Sequence, residues 1–361
     1  MAMKTSPPRA FFAAEPATRS HVRGRTFLLY ALLLGANLGA WIWALIAFHN
    51  YPILLGTALL AYTFGLRHAV DADHIAAIDN VTRKLMQQGK RPIGVGVCFS
   101  LGHSTIVFGL SIAITLTSVA IKNHFNSFQT IGGVIGTTVS ALFLLAIATA
   151  NVLVLVSVYQ TFQRVRQGGR FNDEDLNLLL SKRGFFGRLF RRLFQLIEHG
   201  WQMYLVGFLF GLGFDTATEV GLLGISATEA TQGLPIWSIL VFPTLFAAGM
   251  ALVDSTVSVL MLSAYGWAFI KPVRKLYYNM IITLISVLVA VLIGGIEILG
   301  LIGDRLKVHG VVWDLISLLN NNFGVVGVVI LGVFIASWAV SIFVYRMNRY
   351  DEIEVNTDPV G

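Results

Sequence analysis

Eight long apolar runs, near residues 27–48, 53–77, 92–120, 131–158, 202–226, 236–265, 277–301 and 324–346, leave this chain few folds to choose from. A helix needs about 20 apolar residues to cross a bilayer, and each run is long enough. In hydrocarbon every backbone N–H and C=O must be satisfied within the segment, so runs of this length read as helices. The charge content agrees. Only 12% of the 361 residues are charged and 55% are hydrophobic, against about 25% charged in a soluble domain. The expected fold class is all-α: a polytopic membrane protein with eight transmembrane helices.

The basic residues orient these helices. With the N-terminus inside, 22 of the 26 Lys and Arg fall in 1–26, 78–91, 159–201, 266–276 and 347–361 with Arg346. Three, Lys122, Arg305 and Lys307, fall on the opposite side, and Arg67 lies inside a run. Positive charge gathers on the cytoplasmic side, so both termini are expected there. The chain then divides into a tail (1–26), an eight-helix transmembrane domain (27–346) and a second tail (347–361). Residues 1–26 show no short apolar core followed by a cleavage site, so no signal peptide is expected. The net charge of +7 sits in loops, which makes it a topology signal rather than a nucleic-acid surface. In the loop 159–201, Phe186, Leu189, Phe190, Leu193 and Ile197 recur at helical spacing beside Arg188, Arg191 and Arg192. That pattern suits a helix lying on the anionic inner leaflet, or else a regulatory or partner helix. The single cysteine, Cys98, rules out an internal disulfide and a Cys-based zinc site.

Against this apolar background the stretch R-H-A-V-D-A-D-H-I-A-A-I-D, Arg67 to Asp79, stands out. An ionised group at the centre of a spanning helix costs about 2.5–3.5 kcal/mol on insertion scales, so such groups mark function. Neutral imidazole together with carboxylate suits a borderline divalent transition metal. On a regular helix, His68, Asp71 and His74 share an arc of about 120°, Asp79 follows one turn on, and Asp73 falls outside the arc. Other runs contribute His103 in F-S-L-G-H-S-T, Asp215 and Glu219 in G-F-D-T-A-T-E, and Asp254 in G-M-A-L-V-D-S-T. At about 1.5 Å per residue, these groups gather between the midplane and the cytoplasmic third. The candidate metal ligands are therefore His68, Asp71, Asp73, His74, His103, Asp215, Glu219 and Asp254.

Plainer readings compete. The first cluster can be a structural network with Arg67 as counter-ion, His103 a bridging hydrogen-bonder, and Asp215 with Glu219 a proton relay. Val70, β-branched and between the ligands, either stiffens the cage or faces lipid. Glu297, near the outer end of its run, is expected to snorkel to water, and His49, His124 and His309 to lie at the outer face. Gly207 with Gly211, and Gly132 with Gly136, have the small-xxx-small spacing of close helix packing. F-G-L-R-H-A-V-D at 64–71 echoes F-G-L-G-F-D-T-A at 210–217, and H-S-T at 103–105 echoes D-S-T at 254–256. The paired runs are antiparallel in the expected topology, as in an inverted repeat.

His68, Asp73 and His74 form H-x4-D-H, and with the other three motifs the chain resembles the nickel/cobalt transporter family of bacterial permeases from about residue 25 to 350. The resemblance is to the high-affinity nickel permeases in particular. It implies secondary uptake of Ni²⁺, with Co²⁺ a poorer substrate, across the bacterial inner membrane. It assigns a binding or transport role to His68, Asp73, His74, His103, Asp215, Glu219 and Asp254. One position departs. Such permeases usually carry a second Asp three residues after Asp254, and here that residue is Val257.

The expected partners are thus the transported metal and the bilayer with its anionic inner leaflet, with no resident cofactor. No G-x-x-x-x-G-K-[ST] occurs, so no ATPase activity is expected. A metal exporter differs only in direction. An intramembrane zinc metallohydrolase would need a general base and an open coordination position, and the chain has no H-E-x-x-H.

Overall fold

In a computed structural model the described residues are 16–116, 125–166, 197–212, 221–223, 225–226, 228–229, 233–268 and 272–347. All regular structure among them is helical. The helices are α1 (Pro16–Ala47), α2 (Pro52–His68), α3 (Ala72–Gln87), α4 (Val95–Leu116), α5 (Phe125–Arg166) and α6 (Met203–Phe210). They continue with α7 (Ile236–Ile239), α8 (Val241–Ala268), α9 (Pro272–Leu306), α10 (Val311–Asn320) and α11 (Phe323–Met347).

Val22–Ala47, Val95–Ala113, Ile236–Gly266 and Met280–Leu306 are each long and apolar enough to cross a membrane. Two bent pairs raise the number to six among the described residues: α2 with α3, bent by 51°, and α10 with α11, bent by 79°. The outer faces carry many large apolar side chains. On α1 alone Phe27, Leu28, Leu32, Leu38 and Ile46 are all more than half exposed, a surface that only lipid or protein covers comfortably.

The sequence predicts one regular helix through His68 and Asp79; the structure breaks it. Asp71 is extended at φ −62°, ψ 146°. The ladder tightens to Val70 N–H on Arg67 O (3.1 Å) and Asp71 N–H on His68 O (2.9 Å), then restarts with Ile75 N–H on Asp71 O (3.2 Å). The helical-wheel arc drawn through His68, Asp71 and His74 therefore does not apply. His68 ends one helix and His74 lies in the first turn of the next.

The sequence also places residues 78–91 in a cytoplasmic loop, whereas α3 runs on to Gln87. Arg83 is fully buried and Lys84 nearly so. A polar helix can sit at the centre of a membrane protein when its polar groups find partners there, and α3 does. It ends on Gln88 in a Schellman pattern, with Lys90 N–H on Leu85 O and Gly89 N–H on Met86 O. Gly89 takes the left-handed conformation, φ 76°, that this motif requires.

Close helix contacts rest on glycine. A Cβ at Gly65 would collide with the backbone of Phe246, joining α2 to α8, and one at Gly96 with the backbone of Asp254, joining α4 to α8. Gly102 meets Tyr204 in the same way, and Gly207 and Gly211 meet Phe99 and His103, so α4 and α6 interleave. This is the close packing expected at Gly207 and Gly211. Glu297 departs from expectation. It is buried and accepts a hydrogen bond from Ser140 Oγ of α5 at 2.8 Å, a local partner that makes snorkelling unnecessary. The stretch 167–196, with most of the predicted interfacial helix, lies outside the described residues.

Candidate metal site

Three buried imidazoles meet at the break between α2 and α3. His68 is the last residue of α2, His74 the third of α3, and His103 lies midway along α4. Ring centroids are 4.6 Å apart for His68–His74, 4.7 Å for His68–His103 and 5.1 Å for His74–His103. One ring nitrogen from each lies within 4.8 Å of the others.

Two buried carboxylates orient the rings. His68 Nδ1 stands 3.1 Å from Asp71 Oδ2. An ionised carboxylate only accepts, so Nδ1 carries the hydrogen and Nε2 presents its lone pair. That Nε2 lies 3.0 Å from Nε2 of His103, which then donates. His74 Nδ1 likewise donates to Asp254 Oδ1 at 3.4 Å, which leaves Nε2 buried with no hydrogen-bond partner among the described residues. Orienting carboxylates of this kind fix the tautomer of a metal-binding histidine. Asp254 is itself held by Ser100 Oγ at 2.6 Å.

The walls are aromatic. Phe99 packs edge-on to His74 at 4.7 Å, and Phe246 lies 5.5 Å from His68. The break is sealed by α11. Gly324 abuts Asp71 Oδ1, and a Cβ at Gly327 would collide with the Val70 carbonyl. Val70 is half-buried and packs on the core rather than standing free in lipid.

Of the eight candidate ligands, His68, His74 and His103 thus face one another, with Asp71 and Asp254 behind two of them. Asp73 is half-buried, and its Oδ1 accepts the His74 backbone N–H at 2.9 Å. That oxygen caps the first turn of α3 beside the imidazole cluster. Asp215 and Glu219 lie outside the described residues. Val257 is buried among apolar side chains. Sequence reasoning missed Ser100, although the signal was present: it precedes His103 by three residues and so shares its helix face.

No solved structure matches the chain. A high-affinity nickel transport protein from Cupriavidus necator is 58% identical over 333 residues, covering 92% of this chain and 95% of that protein. The nickel transporter NicT of Mycobacterium tuberculosis is 44% identical over 339 residues, 91% of this chain and 90% of that one. The cobalt transport protein NhlF of Rhodococcus rhodochrous is 39% identical over 288 residues, 79% and 81% of the two chains. The family model for high-affinity nickel-transport proteins, NicO, matches residues 54–344, so the chain belongs to that family and is a multi-pass membrane transport protein, not an enzyme.

Proposed function

We propose that this chain imports Ni²⁺ across the bacterial inner membrane, with Co²⁺ a poorer substrate, and that His68, His74 and His103 hold the ion in transit. The observation that carries this reading is the three buried imidazoles with ring nitrogens within 4.8 Å of one another. Two nitrogens bound side by side at about 2.1 Å and near 90° stand about 3 Å apart. His68 and His103 already stand 3.0 Å apart, so a metal takes the place of the shared hydrogen while the rings turn their lone pairs onto it. Asp71 and Asp254 hold the tautomers and offset the charge. Asp73, Asp215 and Glu219 remain part of the proposed pathway, beyond the three imidazoles.

The proposed setting is eight spans, both termini cytoplasmic, with the two halves related as an inverted repeat. The membrane potential alone supports such uptake. A divalent cation moving inward gains about 4.6 kcal/mol per 100 mV, at about 2.3 per charge. Export is the competing reading, because the names of the nickel and cobalt transporters among the relatives give no direction.

The test is accumulation of radioactive nickel in cells expressing the chain, with cobalt and zinc as competitors. His68→Ala, His74→Ala and His103→Ala should each abolish accumulation while the protein still reaches the membrane. Wild-type uptake by any of them removes that residue from the site. Nickel loss from preloaded cells would reverse the direction.

A further inference from the structure

A second buried polar cluster lies on α3, away from the imidazoles. Ser286 Oγ of α9 donates to Asp79 Oδ2 at 2.6 Å, and the Tyr265 hydroxyl of α8 donates to Oδ1. Four residues on, Arg83 donates through Nη1 to Thr283 Oγ1 of α9 at 3.2 Å and through Nη2 to Asn80 Oδ1 at 3.0 Å. Asn80 Oδ1 also accepts from Asn151 Nδ2 of α5 at 2.7 Å, and Asn80 Nδ2 donates to Ala76 O at the same distance. Asp79, Asn80, Arg83, Thr283 and Ser286 are all 0% exposed.

Both oxygens of Asp79 already accept hydroxyl hydrogens, and a guanidinium stands one turn away. A carboxylate so satisfied is an anchor rather than a waiting ligand. Its placement says what it anchors. α3 carries both His74 and Asp79, and α8 carries both of their partners, Asp254 and Tyr265. The two helices are thus tied at two heights. Ser286, Thr283 and Asn151 add ties to α9 and α5, so the rotation and height of α3 are set from three sides. Breaking such a buried, charged network by removing one member is strongly destabilising, whereas the intact network holds a single arrangement.

We propose that Asp79, Arg83, Tyr265 and Ser286 are positioning residues for transport, fixing α3 so that His74 faces His68 and His103. This rests on the reading that the three imidazoles hold the metal. It assigns the cluster no direct contact with the ion.

The test compares Tyr265→Phe, Ser286→Ala and Asp79→Asn with His74→Ala in the full-length protein. The readouts are nickel uptake kinetics at matched membrane abundance and the visible d–d absorption of purified protein with Co²⁺. Partners bonded directly to a metal ligand contribute about 10–100-fold in affinity. Tyr265 and Ser286 act one residue further out, so Tyr265→Phe and Ser286→Ala should raise KM by about 10-fold, the lower end, while maximal rate changes less. The Co²⁺ spectrum should shift toward that of His74→Ala. The Tyr265→Phe, Asp79→Asn pair should be no worse than Asp79→Asn alone. Wild-type KM and spectrum in Tyr265→Phe and Ser286→Ala, with or without lower thermal stability, would overturn the proposal. So would loss of metal binding in Asp79→Asn alone, which would make Asp79 a ligand. Normal uptake in His74→Ala would overturn the reading of the site itself, a result distinguishable from both.

Discussion

The Ser100 hydroxyl holds Oδ2 of Asp254 at 2.6 Å while Oδ1 holds His74. Removing that hydroxyl frees Asp254 to turn and releases the His74 tautomer. Ser100→Ala should weaken nickel affinity by about 10–100-fold, the usual effect of losing an outer partner, with the protein still inserted. Uptake kinetics at matched abundance measure it. Protons compete for the same ring nitrogens, because metal binding needs neutral imidazole. Acid therefore opposes binding. Apparent nickel affinity should fall as pH is lowered from about 7.5 to about 5.5, and a flat profile across that range would contradict ligation by titrating histidines. Much of this chemistry was legible in the sequence, since His and Asp in an apolar run have few other uses. What was not legible is which carboxylate faces which ring. Asp71 and Asp73 are the same residue type two positions apart, but the backbone turns at Asp71, sending Asp71 toward His68 and Asp73 back onto its own helix.

The elements explain why the wheel through Arg67–Asp79 misleads. A period of 3.6 assumes an unbroken ladder, and nothing in A-V-D signals a break in the way Pro or Gly would. The break is held from outside, by Gly324 and Gly327 of α11 lying against Asp71 and the Val70 carbonyl, and a single-chain pattern carries no trace of a partner some 250 residues away. Glycine spacing was more informative: G-x-x-x-G at 207–211 packs against α4. The α2–α8 contact offers a direct test. Gly65→Ala would set a methyl against the Phe246 backbone, which cannot swing aside as a side chain could. Overpacking of this kind costs about 1–3 kcal/mol. The variant should melt at lower temperature than wild type and take up less nickel, since α2 carries His68 and α8 carries Asp254.

For the molecule as a whole, the proposed import is electrogenic unless a counter-ion returns. In liposomes holding the purified protein, an inside-negative potassium diffusion potential should accelerate nickel entry, and an inside-positive one should slow it. Equal rates at both signs would require an exchanged cation. The eight apolar runs and the charge asymmetry made the membrane class legible without any structure, because bilayer thickness is a strict ruler. The same ruler misjudged α3, whose two Asp, Arg83 and Lys84 resemble a loop until its neighbours surround it. That burial has a consequence for how the protein is made. The ribosome reaches Ser286 207 residues after Asp79, which at about 5–20 residues per second takes about 10–40 s. For most of that interval α3 has neither Tyr265, 186 residues on, nor Ser286 to hold it, and it is too polar to partition into lipid alone. The insertion machinery must therefore keep α3 waiting, at its lateral exit or at the membrane surface, until α8 and α9 arrive to draw it in.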